Sequence, residues 1–124
     1  MLIKEARKLL DDFYYKKEHL PEEEKLFVEA VKFLIDRENK PLDMMNLGSF
    51  YYDKKEYGSA LKYYEMAAAM KYVPAYEMLA AIWYYGKTGT TDYIKAKEYF
   101  TWLKDRGNKA AAEMLDEIDK KELA

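Results

Sequence analysis

Apolar residues recur along this chain at intervals of three and four, the spacing that gathers side chains onto one face of an α-helix. Met44, Leu47, Gly48 and Tyr51 form one such set, and Tyr76, Leu79, Ala80 and Trp83 form another. Polar stretches punctuate the pattern with helix start and stop signals. Pro21 followed by Glu22, Glu23 and Glu24 reads as a first turn, since proline suits the first helical position and carboxylates suit the positive end of the dipole. In "ENKP", Glu38 to Pro41, Asn39 can adopt a left-handed cap and Pro41 blocks continuation. Pro74 opens another helix, Thr91 or Asp92 is suited to capping the next, and "RGN" at Arg106 to Asn108 is a stop. These signals predict seven helices, near 3–16, 21–37, 42–54, 56–71, 74–86, 92–106 and 109–121.

The helices belong to a repeat. "LDDFYYKKE" at Leu10 to Glu18 returns as "LGSFYYDKKE" at Leu47 to Glu56, and "AYEML" at Ala75 to Leu79 returns as "AAEML" at Ala111 to Leu115. Leu10, Leu47, Leu79 and Leu115 head similar segments spaced 37, 32 and 36 residues apart. A period in the mid-thirties is what two short helices and two turns require. Within the pairs, Gly48 and Ala80 are small where the second helix must approach. Ala60 and Ala96 do the complementary job, and Tyr64 and Phe100 fill the space one turn later. Large against small is how helix pairs interlock.

Two segments, "NLGSFYYDKKEYGSALKYYEMAA" and "MLAAIWYYGKTGTTDYIKAKEYF", resemble Sel1-like repeats, relatives of the tetratricopeptide repeats. The second carries the fuller pattern, with Leu79, Trp83, Gly86, Gly89, Asp92, Tyr93, Lys95, Ala96, Tyr99 and Phe100. The first has Leu47, Gly48, Tyr51, Tyr57, Ala60, Tyr63, Tyr64, Ala67 and Ala68, with a shortened loop. The resemblance implies an all-α fold, an α-α superhelix in the form of a right-handed solenoid of helix pairs. The chain would be one domain: a degenerate repeat over 3–38, repeats over 42–71 and 74–106, and a capping helix over 109–121. Asp11, Glu23 and the tail "DEIDKKELA" put polar residues where a terminal repeat has no neighbour, as expected of an intact, capped array.

Composition narrows the function classes. Of 124 residues, 13 are tyrosine while glycine and proline number 5 and 3, which fits a packed helical protein and opposes disorder. Net charge is −2 with no basic block, so a nucleic-acid backbone is not an expected partner. There is no cysteine, hence no disulfide or thiolate metal site. No segment has the apolar core of a leader or the length of a membrane span, so the expected setting is cytoplasmic, without membrane contact.

Chemical motifs are weak. His19 is the single histidine, expected as an exposed loop residue without catalytic partners. "GKTGTT" at Gly86 to Thr91 lacks phosphate-loop spacing and a preceding strand. Ser59 and Lys62 with the Lys-Thr-Gly at Lys87 to Gly89 are similar to motifs of penicillin-recognising serine enzymes, but those motifs need a sheet edge, and the repeat itself accounts for the residues. No catalytic residue, metal or cofactor is expected.

The Phe-Tyr-Tyr recurrence is more informative. Tyr14 and Tyr51 are expected at the core position that Trp83 takes. The following residues, Tyr15, Tyr52 and Tyr84, point about 100° further round the helix. Stacked units would align these phenols, with Tyr85 adjacent. The resemblance places the first helix of each pair along a concave groove, which adds Asp12, Ser49, Met45 and Glu77 to its lining. Aligned tyrosines suit capture of a protein or peptide, because tyrosine offers large contact area at little entropic cost. The alternative is that they only cover gaps between helices. The expected function is a protein-protein interaction scaffold that binds a peptide or partner helix. Self-association into a homo-oligomer is the second class and a serine hydrolase the third.

Overall fold

The computed structural model describes residues 1–123. It contains seven α-helices and, among the described residues, no strand: α1 (Ile3–Tyr15), α2 (Pro21–Glu38), α3 (Pro41–Asp53), α4 (Tyr57–Ala69), α5 (Val73–Tyr85), α6 (Tyr93–Asp105) and α7 (Lys109–Leu123). The helices form sequential pairs, α1 with α2, α3 with α4 and α5 with α6, and α7 closes on α6. Packing is densest inside the second and third pairs and thinnest at the α2–α3 junction.

Local chemistry explains the helix ends. Pro21 and Pro41 stand at first helical positions, and the Glu23 carboxylate accepts the Leu20 N–H at 3.1 Å. Asp92 caps α6 by accepting the Lys95 N–H at 3.1 Å. Asn39 ends α2 in the left-handed region, with φ 52°, and donates its N–H to the Ile35 carbonyl at 2.9 Å. Gly86 ends α5 with φ 66°, where an added Cβ would meet Thr91 Oγ1 at 2.6 Å. The sequence pattern runs α4 to residue 71, but the helix stops at Ala69 because Lys71 turns to φ 61°. Lys55 does the same after α3. Neither lysine advertises a left-handed turn by residue type, yet the α3 stop at Asp53 falls within one residue of the expected 54, and only the α4 stop is displaced by two.

Each repeat buries the same register. Leu10, Leu47 and Leu79 are core residues. Four residues before these leucines and before the half-buried Leu115 stand Ala6, Asp43, Ala75 and Ala111, all buried. On the second helices, Phe27, Tyr64 and Phe100 are equivalent and buried, with Ala30, Ala67 and Leu103 three residues later. The expected interlock of large with small is present: a Cβ on Gly48 would lie 2.7 Å from Tyr64 Cδ1 and Cε1. Neighbouring first helices touch directly. Arg7 of α1 pairs with Asp43 of α3, and the Phe13 and Phe50 rings lie 6.4 Å apart. Helix pairs stacked in this order make a short solenoid.

Candidate functional site

A helical wheel drawn on the buried register shows which positions face outward. The core leucine and the residues four before and four after it point inward. Residues two before, two after and five after it lie on the opposite side. In α3 those outward positions are Met45, Ser49 and Tyr52, and in α5 they are Glu77, Ala81 and Tyr84. In α1 they are Lys8, Asp12 and Tyr15, and in α7 Glu113, Glu117 and Lys120. The residues singled out from sequence thus occupy equivalent places on the first helices, with Tyr85 one residue beyond.

Their surroundings differ. Tyr52 is half-buried against Tyr57 at 5.6 Å between centroids, and Tyr84 is half-buried against Tyr93 at 5.7 Å. Tyr57 and Tyr93 are themselves equivalent, so one contact closes both helix pairs. In the first pair that partner position holds Leu20, and Tyr15 stands 92% exposed. Tyr85 is exposed and meets Tyr84 edge-on at 4.8 Å. Asp12 is exposed and paired with Lys8 at 2.9 Å, and Glu77 is exposed. Met45 is half-buried against the core. Ser49 is tied inward: its hydroxyl shares a hydrogen bond with Tyr64 Oη at 3.1 Å.

Two expectations are corrected. Tyr14 does not take the Trp83 position: it is 51% exposed, whereas Trp83 is buried. Phe13 instead stacks on Phe27 at 4.1 Å, with Tyr14 edge-on to the same ring at 5.5 Å. Among the described residues α1 packs extensively on α2 alone and touches α3 through Arg7 and Phe13, so its flank stays open to solvent. Tyr51 is half-buried, stacked on Tyr63 at 5.9 Å. His19 is not a bare loop residue. Its ring stacks on Phe13 at 3.6 Å, and Nε2 lies 2.6 Å from the Phe13 carbonyl, a second donor to an acceptor that the Lys16 N–H reaches at 3.3 Å.

The motif residues weighed for chemistry fall on different elements. Ser59 and Lys62 lie on α4, with the Lys62 ammonium over the Tyr63 ring at 5.3 Å, and the Lys-Thr-Gly segment is in the α5–α6 connector. Among the described residues no group of three His, Cys, Asp or Glu is placed to hold a metal ion. No helix is long and apolar enough to cross a membrane.

Sequence reasoning missed one polar network. Asp43 is the sole charged residue in the buried alanine row, and that irregularity was the available signal. Arg7 reaches it with two hydrogen bonds, at 2.7 and 2.8 Å, and reaches Glu38 with a third at 2.7 Å. The Arg7 fork holds Glu38 below the usual carboxylate range, while Asp43 first, then Glu38, raises the guanidinium itself. Also unforeseen is a stack at the α5–α6 edge, with Tyr76 on Trp102 at 3.5 Å and Arg106 over Trp102 at 3.6 Å.

No protein-family model, curated protein or solved structure matches this chain.

Proposed function

We propose that this protein is a non-catalytic interaction scaffold of the Sel1-like kind, working in the cytoplasm and binding a peptide or partner helix along the surface of its first helices. The observation that carries this is the repeated tyrosine clasp. Tyr52 on Tyr57 and Tyr84 on Tyr93 hold two phenols at equivalent places and nearly the same distance, 5.6 and 5.7 Å. A ring held by a neighbour yet still part-exposed loses little freedom when a partner covers it. Tyr15 and Tyr85 extend the aromatic surface beyond the clasps.

Affinity capture from the source lysate tests this, with Tyr15, Tyr52 and Tyr84 changed together to alanine as the control. A retained protein that is lost from the triple variant, while its helical circular dichroism persists, supports the groove. Unchanged retention by the folded triple variant refutes it. With purified partner, Tyr52→Ala weakens binding by more than it lowers stability.

A further inference from the structure

We infer that the partner of this surface is cationic, a segment bearing lysine or arginine side chains seated on the first helices around α5 and α7; this rests on the groove proposed above and gives its occupant a chemistry. Charge is divided unequally between the two sides of the array. The second helices α2, α4 and α6 expose six charged side chains of each sign, so their side is balanced. The first helices α1, α3, α5 and α7 expose ten acidic side chains against five basic. Lys8 and Lys120 pair with Asp12 and Glu117 at 2.9 and 3.4 Å, and Lys97 of α6 pairs with Asp119 and Glu122, which leaves, among the described residues, six unpaired acidic side chains on the first helices against three basic. Glu77 and Glu113 hold the same register on α5 and α7, and among the described residues neither has a cationic partner.

The tyrosines supply the second observation, because ammonium groups already sit on them. Lys121 Nζ of α7 lies 5.9 Å from the Tyr84 ring centroid, and Lys87 Nζ of the α5–α6 connector lies 5.9 Å from that of Tyr85. These lysines stand, within the chain, where a partner's cation would bind. Both are long flexible tethers that an incoming lysine or arginine can displace. Carboxylates alone would attract any cation, and ring faces alone any apolar group. The two together select a segment with several organic cations, one of whose charges meets Glu77 and Glu113 while the stem of another lies on Tyr84, about 10 Å further along α5.

The test uses the whole chain and a fluorescently labelled peptide of alternating lysine and alanine, read by anisotropy at low ionic strength. Glutamate-alanine and serine-alanine peptides serve as counterparts. Glu77→Gln with Glu113→Gln should weaken the lysine peptide about tenfold, and Tyr84→Leu should also weaken it. Glu29→Gln with Glu98→Gln, which removes the same charge from the other side, should leave affinity within about twofold. Equal weakening by the two pairs would reduce the effect to net charge and overturn the inference, as would a lysine peptide that does not bind. If instead the serine or glutamate peptide binds and loses affinity in Tyr52→Ala, the groove stands and its cationic preference falls.

Discussion

Gly48→Ala should destabilise this protein even though alanine favours a helix. In an exposed helix interior the exchange gains about 1 kcal/mol. Here the added Cβ lies 2.7 Å from two ring carbons of Tyr64 and 3.3 Å from the Ala60 carbonyl oxygen. Carbon atoms rest at roughly 3.5–4.0 Å, so the ring must retreat by about 1 Å. Tyr64 is fully buried, and its hydroxyl is held by Ser49 at 3.1 Å, so it has nowhere to swing. Overpacking of this kind costs about 1–3 kcal/mol, and straining the Ser49 hydrogen bond costs about 1 more. Set against the propensity gain, the net loss is about 2 kcal/mol, a fall in Tm of roughly 5–10 °C for a domain near this size. Gly58→Ala is the control. It lies in the first turn of α4, with nothing within 4 Å of the added Cβ, and should gain about 0.5–1 kcal/mol. Urea unfolding followed by circular dichroism measures both variants, and an unchanged m-value keeps the comparison valid. In a Tyr64→Ala background the Gly48→Ala penalty should vanish. A Gly48→Ala protein as stable as wild type, or a penalty that survives removal of the ring, would refute the close-packing account.

Arg7→Met should cost about 2 kcal/mol: stranding a buried carboxylate is worth more, but the Arg7 side chain is 34% exposed and water screens part of the loss. Asp43→Ala should cost less, because Arg7 keeps Glu38 and alanine is the residue at that place in three other helices, and a urea double-mutant cycle should find Arg7→Met milder in the Asp43→Ala background. Lys71→Gly should stabilise by about 0.5–1 kcal/mol in thermal melts, relieving a left-handed residue at the position where Gly107 ends the following pair with φ 89°. Stability should fall on acidification. Arg7 depresses Glu38, and Lys16 first, then the Leu20 N–H, depresses Glu23, so their contribution is present above the ordinary carboxylate pKa of about 4.5 and lost as pH drops through the lowered values. Melts across this range should lose acid sensitivity in Glu38→Gln, and an unaltered slope would refute the assignment.

The repeat and its interlock were legible in the residues because they obey a periodicity that survives without coordinates. The leucine row, the alanines of the second helices and the Gly48–Tyr64 fit all follow from spacing. The site was legible only in part. Register alone puts Tyr15, Tyr52 and Tyr84 in equivalent positions. It does not say that Tyr57 and Tyr93 clasp two of them while Leu20 leaves the third bare. Nor does it reveal that Ser49 bonds Tyr64, since spacing sets the ring against Gly48 but does not show how far the hydroxyl at its tip reaches.

The number of helices, most of their ends and the order of their pairing were determined by the sequence itself. Those features rest on local rules: helical periodicity, proline and asparagine at the stops, a capping aspartate, and steric fit along one face. Tertiary structure alone decided which boundary side chains are covered and which charges meet. Tyr14 and Trp83 share a register but not a fate, because α1 lies at one end of the stack and α5 lies inside it. Arg7 and Asp43 are 36 residues apart, and their ion pair exists only because one helix pair settles against the next. A pattern along the chain fixes the direction a side chain takes from its own helix; what it meets there depends on the neighbouring unit.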